Sequence, residues 1–164
     1  METKVEIEIG APPTIVYATA TDVAQWPQFI SGIEQVEILT AGPIQVGTRF
    51  RETRIMFGRR ASEEMAVAAL EPPHRFVLTA ENHGTRYVAT HEIVSAGAGS
   101  RLMLTFEGKP VAMAARLFSI IGLLFMGAVT RKLEADLQQL KAEAERRLRT
   151  RAPAAPAGAP PAAG

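Results

Sequence analysis

A few polar residues on strand-like stretches of the sequence have side chains that could do chemistry. Glu52 and Arg54 alternate on one stretch, Glu63 lies on the next, and Tyr87 and His91 share a later one. A carboxylate, a phenol and an imidazole can each donate or accept a proton, and a guanidinium binds anionic groups. If the fold brings them to one interior, these residues could anchor the polar end of a ligand or act in acid and base catalysis.

Composition and spacing exclude other kinds of site. The chain has no cysteine, which excludes thiolate zinc sites, cysteine nucleophiles and disulfides. The histidines at 74, 83 and 91 do not have the spacing of metal ligands, and the glycine-rich segment 95–100 lies between strands rather than before a helix, as a phosphate loop would. We therefore predict no metal and no cofactor. The formal net charge of +1 is too small to indicate a nucleic-acid partner.

The elements that must position these residues follow from the hydrophobic pattern. Apolar residues alternate with polar ones from Lys4 to Ile9, as in a half-buried strand. Two short helices are predicted next, at 12–20, where prolines suit the first turn, and at 22–26. Further strands, separated by turn residues, are predicted at 33–40, 47–57, 61–71, 74–82, 85–95 and Arg101–Glu107. The pattern predicts an α+β fold with a seven-stranded antiparallel sheet that has one wet face.

The last element is predicted to be a long helix that covers the other face of the sheet, from after Pro110 to about Arg149. Its buried stripe recurs every three or four residues: Leu133, Leu137, Leu140, Ala144 and Leu148.

The helix begins with an apolar stretch, Val111 to Val129, nearly long enough to span a bilayer. Arg116 and the unbroken stripe argue against a membrane span. The outer side of the same helix carries Leu117, Ile121 and Leu124, which predicts a peripheral membrane contact or a homodimer interface.

Hairpin pairing predicts which side chains face inward. A four-residue turn at 57–60 would place Arg54 opposite Glu63, Glu52 opposite Met65, and Phe50 opposite Val67, on the more apolar face. An odd loop would send the charged residues outside, where Arg54 and Glu63 would be an ordinary cross-strand ion pair. A turn at 83–84 would place Phe76 opposite His91 and Ala80 opposite Tyr87, so that Tyr87 and His91 face one interior. An inward histidine or tyrosine can also be an ordinary core residue.

The two ends of the chain bound a single domain. Residues 1–150 form the predicted domain, and residues 151–164, rich in alanine and proline, form a predicted disordered tail because they have little to bury. The charged, alternating start differs from a signal peptide, which predicts a cytoplasmic protein. The apolar outer side of the long helix leaves peripheral contact with the inner membrane as an alternative.

The order of these elements resembles the SRPBCC or START-like superfamily, whose bacterial members include polyketide cyclase/dehydrase-like proteins. The resemblance covers about residues 3–148 and is carried by "APPTIVYATATDVAQWPQFISGI" after the first strand, "GPIQVGTRFRETR" in the third, "LEPPHRFVLTAE" leading into the fifth, "GAGSRLMLTFEG" in the last, and the long helix. It implies a helix-grip fold, in which a sheet wraps around the C-terminal helix and leaves a hydrophobic cavity between them.

The resemblance implies binding or carriage of a small hydrophobic ligand such as a lipid, polyketide or quinone. Arg54 or His91 would anchor a polar head, and Trp26 would either contact the ligand or plug the end of the cavity. An alternative is a cyclase or dehydratase that uses polar cavity residues, and a further alternative is a protein- or membrane-interaction module. The predicted ligand-binding residues are Trp26, Phe29, Phe50, Glu52, Arg54, Met65, Tyr87, His91, Phe106, Phe118 and Gly122.

Overall fold

The computed structural model describes residues 1–56, 58–82, 84–111 and 119–151, with the side chains of 119–126 left out of the description. Its strands are β1 (Glu2–Ile9), β2 (Ile33–Ile38), β3 (Arg49–Met56), β4 (Arg59–Glu71), β5 (Arg75–Asn82), β6 (Thr85–Ala96) and β7 (Gly99–Pro110). Its helices are α1 (Pro13–Thr21), a 3-10 turn (Val23–Gln25), α2 (Trp26–Phe29) and α3 (Ser119–Arg151). The α+β fold class and the two short helices after β1 are confirmed.

The seven strands form one antiparallel sheet in the order β1-β7-β6-β5-β4-β3-β2, so that β1 and β2 are its two edges. Helix α3 forms hydrogen bonds with residues near both edges of the sheet. On one side, the Lys141 Nζ donates to the carbonyl of Glu8 at 2.8 Å, beside β1. On the other, the Gln139 Nε2 donates to the Ser31 Oγ at 2.8 Å, just before β2. The sheet therefore holds the helix between its edges, and the predicted helix-grip fold is confirmed.

The β5–β6 hairpin has the predicted register. Phe76 pairs with His91 and Ala80 pairs with Tyr87, across a turn of two residues that contains Gly84 at a φ of +71°. A positive φ at this point favours glycine, because it has no Cβ to clash with the backbone. Tyr87 and His91 therefore share one face of the sheet.

The β3–β4 register differs from the prediction by two residues. Only two residues, 57 and 58, join Met56 to Arg59, because Gly58 adopts a φ of +73° and closes a tight turn. Glu52 is thus paired with Glu63 rather than with Met65, Arg54 with Ala61, and Phe50 with Met65. A shift of two residues keeps every side chain on its predicted face but changes its partner. The predicted Arg54–Glu63 pairing is therefore wrong, and two carboxylates stand opposite each other instead.

The predicted stripe of α3 faces the core. Leu137, Leu140 and Ala144 are buried, and Leu133 and Leu148 pack against the same cluster. No helix among the described residues has both the length and the hydropathy needed to cross a membrane. Leu117, Phe118 and residues 152–164 lie outside the described residues. The side chains of Ile121, Gly122 and Leu124 lie outside the described part as well, so the outer patch of the helix stays a prediction.

The C-terminal part of α3 is tied to the segment after β1 by a cluster around Glu143. The Arg146 Nε and the Arg147 Nε donate to its two carboxylate oxygens at 2.7 Å each. Arg147 also donates to the Asp22 Oδ2 at 3.1 Å, and its guanidinium lies 5.8 Å from the ring centre of Phe29. Hydrogen bonds from Arg146 and then Arg147 outweigh the effect of burial and lower the pKa of Glu143 to about 2.

We expect Glu143→Gln to lower the free energy of unfolding by about 1–3 kcal/mol at neutral pH, since the charged acceptor is lost. The pKa of Glu143 lies below its ordinary 4.5, so this stabilisation is present above pH 4.5 and is lost as the pH falls towards 2. Urea unfolding of the wild type and the variant should therefore converge over that range. Glu134→Gln, an exposed position on the same helix, is the control. A constant difference down to pH 2 would contradict the assignment.

Candidate functional site

A cavity of about 470 Å³ lies between the inner face of the sheet and helix α3. Its apolar lining comes from β2 to β7, from the α2 region and from α3. The described apolar residues on it include Trp26, Ile30, Ile33, Met56, Met65, Phe76, Leu78, Ala80, Tyr87, Ala89, Leu104, Phe106, Val129, Leu133, Leu137 and Leu140. A small-molecule site typically has this composition, with a largely apolar wall and a few polar groups.

The carboxylates of Glu52 and Glu63 meet at one end of this cavity. They are direct cross-strand partners, and both line it. The Glu52 side chain is only 3% exposed, and its Oε2 has no hydrogen-bond partner among the described residues. Burial, followed by the charge of Glu52, raises the pKa of Glu63, against the opposing effects of Arg54 and a hydrogen bond with Asn82. Glu63 therefore holds its proton to a higher pH than an ordinary glutamate.

Arg54 pairs with two carboxylates at this end of the cavity. Its Nε donates to the Glu52 Oε1, and its Nη1 donates to the Asp136 Oδ2 of α3 at 2.9 Å. Burial disfavours the charged guanidinium, but Glu52 and Asp136 outweigh it and raise the pKa of Arg54. Arg54 is therefore charged and already matched by anions of its own chain. An anionic ligand group would have to compete with Glu52 and Asp136 for Arg54.

A second cation, Lys132, completes the polar end. Its Nζ lies 3.0 Å from the Asp136 Oδ1, one helical turn away. The Lys132 ammonium lies against Gly32, where a Cβ would clash with Nζ. The absence of a side chain at Gly32 therefore leaves room for Lys132. Two cations, Arg54 and Lys132, balance the carboxylates of Glu52 and Asp136, with Glu63 beside them.

His91 is the polar group farther along the cavity. Its ring stacks on Phe76 with centroids 4.0 Å apart and planes at 8°. Burial lowers the pKa of His91 to about 3, although the backbone groups of Ala89 and Phe76 raise it in part. The imidazole is therefore neutral at ordinary pH. Its Nδ1 is buried and lacks a partner among the described residues, so it could exchange a hydrogen bond with a ligand.

Aromatic side chains shape the remaining wall. Tyr87 stacks on Phe106, with ring centroids 5.7 Å apart. Trp26 lines the opposite side, where its Nε1 donates to the carbonyl of Ala20 at 3.1 Å and its ring meets Phe50 edge-on at 5.8 Å. Since the indole donor already has a backbone acceptor, Trp26 presents apolar ring surface to the cavity.

The structure brings most of the predicted site residues together. The described residues that line the cavity include Trp26, Glu52, Arg54, Met65, Tyr87, His91 and Phe106. Phe50 and Phe29 do not line it. Phe50 is fully buried behind Trp26, and Phe29 packs under Arg147. Phe118 lies outside the described residues, and of Gly122 only the helical backbone is described.

Sequence reasoning missed Asp136 and Lys132 on α3. Asp136 lies three residues after Leu133 and four before Leu140, which places a carboxylate within the buried stripe. A charged residue on an otherwise apolar helix face indicates that it has a buried polar partner. The spacing could therefore have identified Asp136 as a site residue, although not Arg54 as its partner. Among the described residues, no group of histidine, aspartate and glutamate side chains is arranged to hold a metal ion.

Known proteins resemble this chain at the level of a family and of a shared fold. A family model described as polyketide cyclase/dehydrase and lipid transport matches residues 1–145. The fold is similar to that of TTHA0849 from Thermus thermophilus, with a TM-score of 0.71, 21% identity, and coverage of 90% of this chain and 99% of that one.

Two further solved structures share the fold at low identity. The Zhui aromatase/cyclase from Streptomyces sp. R1128 has a TM-score of 0.72 at 18% identity, with coverage of 93% of this chain and 98% of that one. Ara h 8.0201 has a TM-score of 0.63 at 13% identity, with coverage of 88% and 97%. Identities this low show the fold alone. No curated protein matches the sequence significantly.

The family match spans every strand, both short helices and most of α3, including all of the described residues that line the cavity. It agrees with the resemblance to SRPBCC proteins that the order of elements indicates. The chain therefore belongs to the polyketide cyclase/dehydrase and lipid transport family of the SRPBCC superfamily.

Proposed function

We propose that this protein binds or carries a small hydrophobic ligand in the cavity between the sheet and α3. The observation that carries the proposal is the cavity itself, whose volume of about 470 Å³ is in the usual range for a small-molecule site. Protein interiors are normally packed without voids of this size, because each unfilled volume forfeits dispersion contacts. An apolar guest would recover those contacts.

The lining fits a ligand with a large apolar body. Aromatic rings from Trp26, Tyr87 and Phe106 and aliphatic side chains from α3 contribute to the wall. The charged residues gather at the end near Glu52, and apart from Thr79, Asn82 and His91 the lining residues of β5 and β6 are apolar or aromatic. A lipid, polyketide or quinone has this chemistry, and the family description names polyketides and lipids.

A second candidate function, acid and base catalysis on a bound polyketide-like molecule, is favoured by one observation. Glu63 lies beside Glu52 in the cavity with a raised pKa, which is how a carboxyl group is kept available as a general acid. The neutral imidazole of His91 could accept a hydrogen bond in the same cavity. A neighbouring structure is an aromatase/cyclase.

Peripheral membrane contact or homodimerisation through Leu117, Ile121 and Leu124 stays a prediction, as does a cytoplasmic location. We retain both as proposals from the sequence. Neither is needed for ligand binding in the cavity.

Trp26 is the only tryptophan in the chain and lines the cavity, so it should report ligand binding directly. We expect Nile red, a neutral apolar dye, to accept energy from Trp26 and to show the blue-shifted emission of a dry site. Trp26→Phe should abolish the energy transfer but retain the dye's blue shift. Unchanged Trp26 emission at saturating dye would mean that the dye does not enter this cavity.

Filling the cavity should abolish binding without unfolding the protein. Ala89 lines the cavity on β6, so Ala89→Phe should weaken Nile red binding at least about tenfold, with the loss of thermal stability limited to overpacking. Val94 lies on the same strand with 53% exposure, and Val94→Phe is the matched control that should bind normally. If both variants bind as the wild type does, ligands occupy another site.

The second candidate function requires Glu63 to titrate above its ordinary pKa of 4.5. We expect carboxyl-carbon NMR to show this and to show that Glu52→Gln shifts the pKa of Glu63 downwards, since the neighbouring negative charge is removed. Glu64→Gln, on the outer face of β4, should leave the Glu63 titration nearly unchanged. A pKa at or below 4.5 would remove Glu63 as a general acid.

A further inference from the structure

The charged side chains at the polar end of the cavity are paired with one another. Its cations are already matched: Arg54 by Glu52 and Asp136, and Lys132 by Asp136. An anionic ligand head would therefore have to compete with carboxylates of the chain for Arg54. It would also have to approach the negative charge of Glu52, which is unfavourable in a site of low dielectric.

Two carboxylate oxygens in this cluster are buried and accept no hydrogen bond from the described residues, the Glu52 Oε2 and the Asp136 Oδ1. The Asp136 Oδ1 has the Lys132 ammonium at 3.0 Å to compensate its charge, so the Glu52 Oε2 is the stronger candidate to accept a hydrogen bond from a ligand. The Oε1 of Glu52 is occupied by Arg54. The Glu52 side chain is 3% exposed and lines the cavity. A buried carboxylate oxygen without a donor is costly, and a ligand hydroxyl would relieve that cost.

We propose that the cavity selects apolar molecules that carry a neutral hydroxyl or phenol group, which donates a hydrogen bond to the Glu52 Oε2, over otherwise similar molecules that carry a carboxylate. This inference rests on the proposed binding function and names its ligand class. It assigns the anchoring of the polar head to Glu52, whereas the sequence predicts Arg54 or His91 in that role.

The wall next to this acceptor suits a ring system that carries the donor. Met65 lies two residues after Glu63 on β4 and pairs with Ala80 on β5. Ala80 in turn pairs with Tyr87 on β6, and all three residues line the cavity. These side chains offer apolar and aromatic surface within a few residues of the carboxylate. A fused aromatic ring system could therefore contact this wall while its hydroxyl group reaches Glu52.

The test uses three naphthalenes that differ at one position, titrated by calorimetry near neutral pH: 2-naphthol, 2-methoxynaphthalene and 2-naphthoate. The first donates a hydrogen bond, the second cannot, and the third is ionised. We expect 2-naphthol to bind at least about tenfold more tightly than either of the others, which is the effect of one hydrogen bond to a buried charged acceptor. Nile red serves as the reference for cavity binding.

Two variants separate the roles of the carboxylates. Glu52→Gln should weaken 2-naphthol about tenfold and strengthen 2-naphthoate, because Arg54 loses an anionic partner. Asp136→Asn should also strengthen 2-naphthoate, because Arg54 loses its other anionic partner. If Glu52→Gln does not fold, the Asp136→Asn variant and the three wild-type affinities still decide. Glu64→Gln, which pairs with Arg49 outside the cavity, is the control.

The failures are distinguishable. Equal affinity for the three compounds, or tightest binding of 2-naphthoate, would overturn the donor preference while apolar binding stands. If neither the naphthalenes nor Nile red bind, the proposed function itself fails and the inference falls with it.

Discussion

The arrangement of the cavity depends on the pairing of Arg54 on β3 with Asp136 on α3, which are separated by 82 positions in the chain. Both side chains are largely withdrawn from water, at 18% and 13% exposure. Removing one partner of a buried ion pair typically costs about 3–5 kcal/mol, because the remaining charge is left without compensation. The helix is thereby held above the sheet at the point where the cavity is most polar, while Leu137 and Leu140 hold it by apolar contacts farther along.

This pairing also underlies the proposed ligand preference. Because the positive charges are matched within the chain, we propose that the polar end acts through the Glu52 Oε2, which has no hydrogen-bond partner among the described residues, rather than through a free cation. Burial, followed by the charge of Glu52 opposite it, raises the pKa of Glu63, and burial keeps His91 neutral. The same arrangement would suit either proposed function, ligand binding or proton transfer, and the family description names both enzymes and lipid transport.

Much of the fold could be predicted from local pattern. The β5–β6 register was predictable because the turn residues 83–84 indicate a two-residue turn, and the length of the turn fixes which residues of the two strands pair. The β3–β4 register was predicted on the right face but two residues out, since the sequence did not reveal that Gly58 closes the shorter turn. Because of this shift, the sequence analysis did not place Glu52 opposite Glu63. The Arg54–Asp136 pair depends on how the helix crosses the sheet, which no local spacing encodes, although the carboxylate at 136 within an apolar stripe was a visible signal.

The identity of any molecule held by the purified protein tests the central claim most directly. Native mass spectrometry before and after organic extraction would give the mass of the protein with and without its bound ligand. We expect a non-covalent adduct of a few hundred daltons, removed by extraction and restored by an apolar hydroxyl compound. An unliganded mass that does not change on incubation with any apolar compound would contradict a ligand-binding role for the cavity.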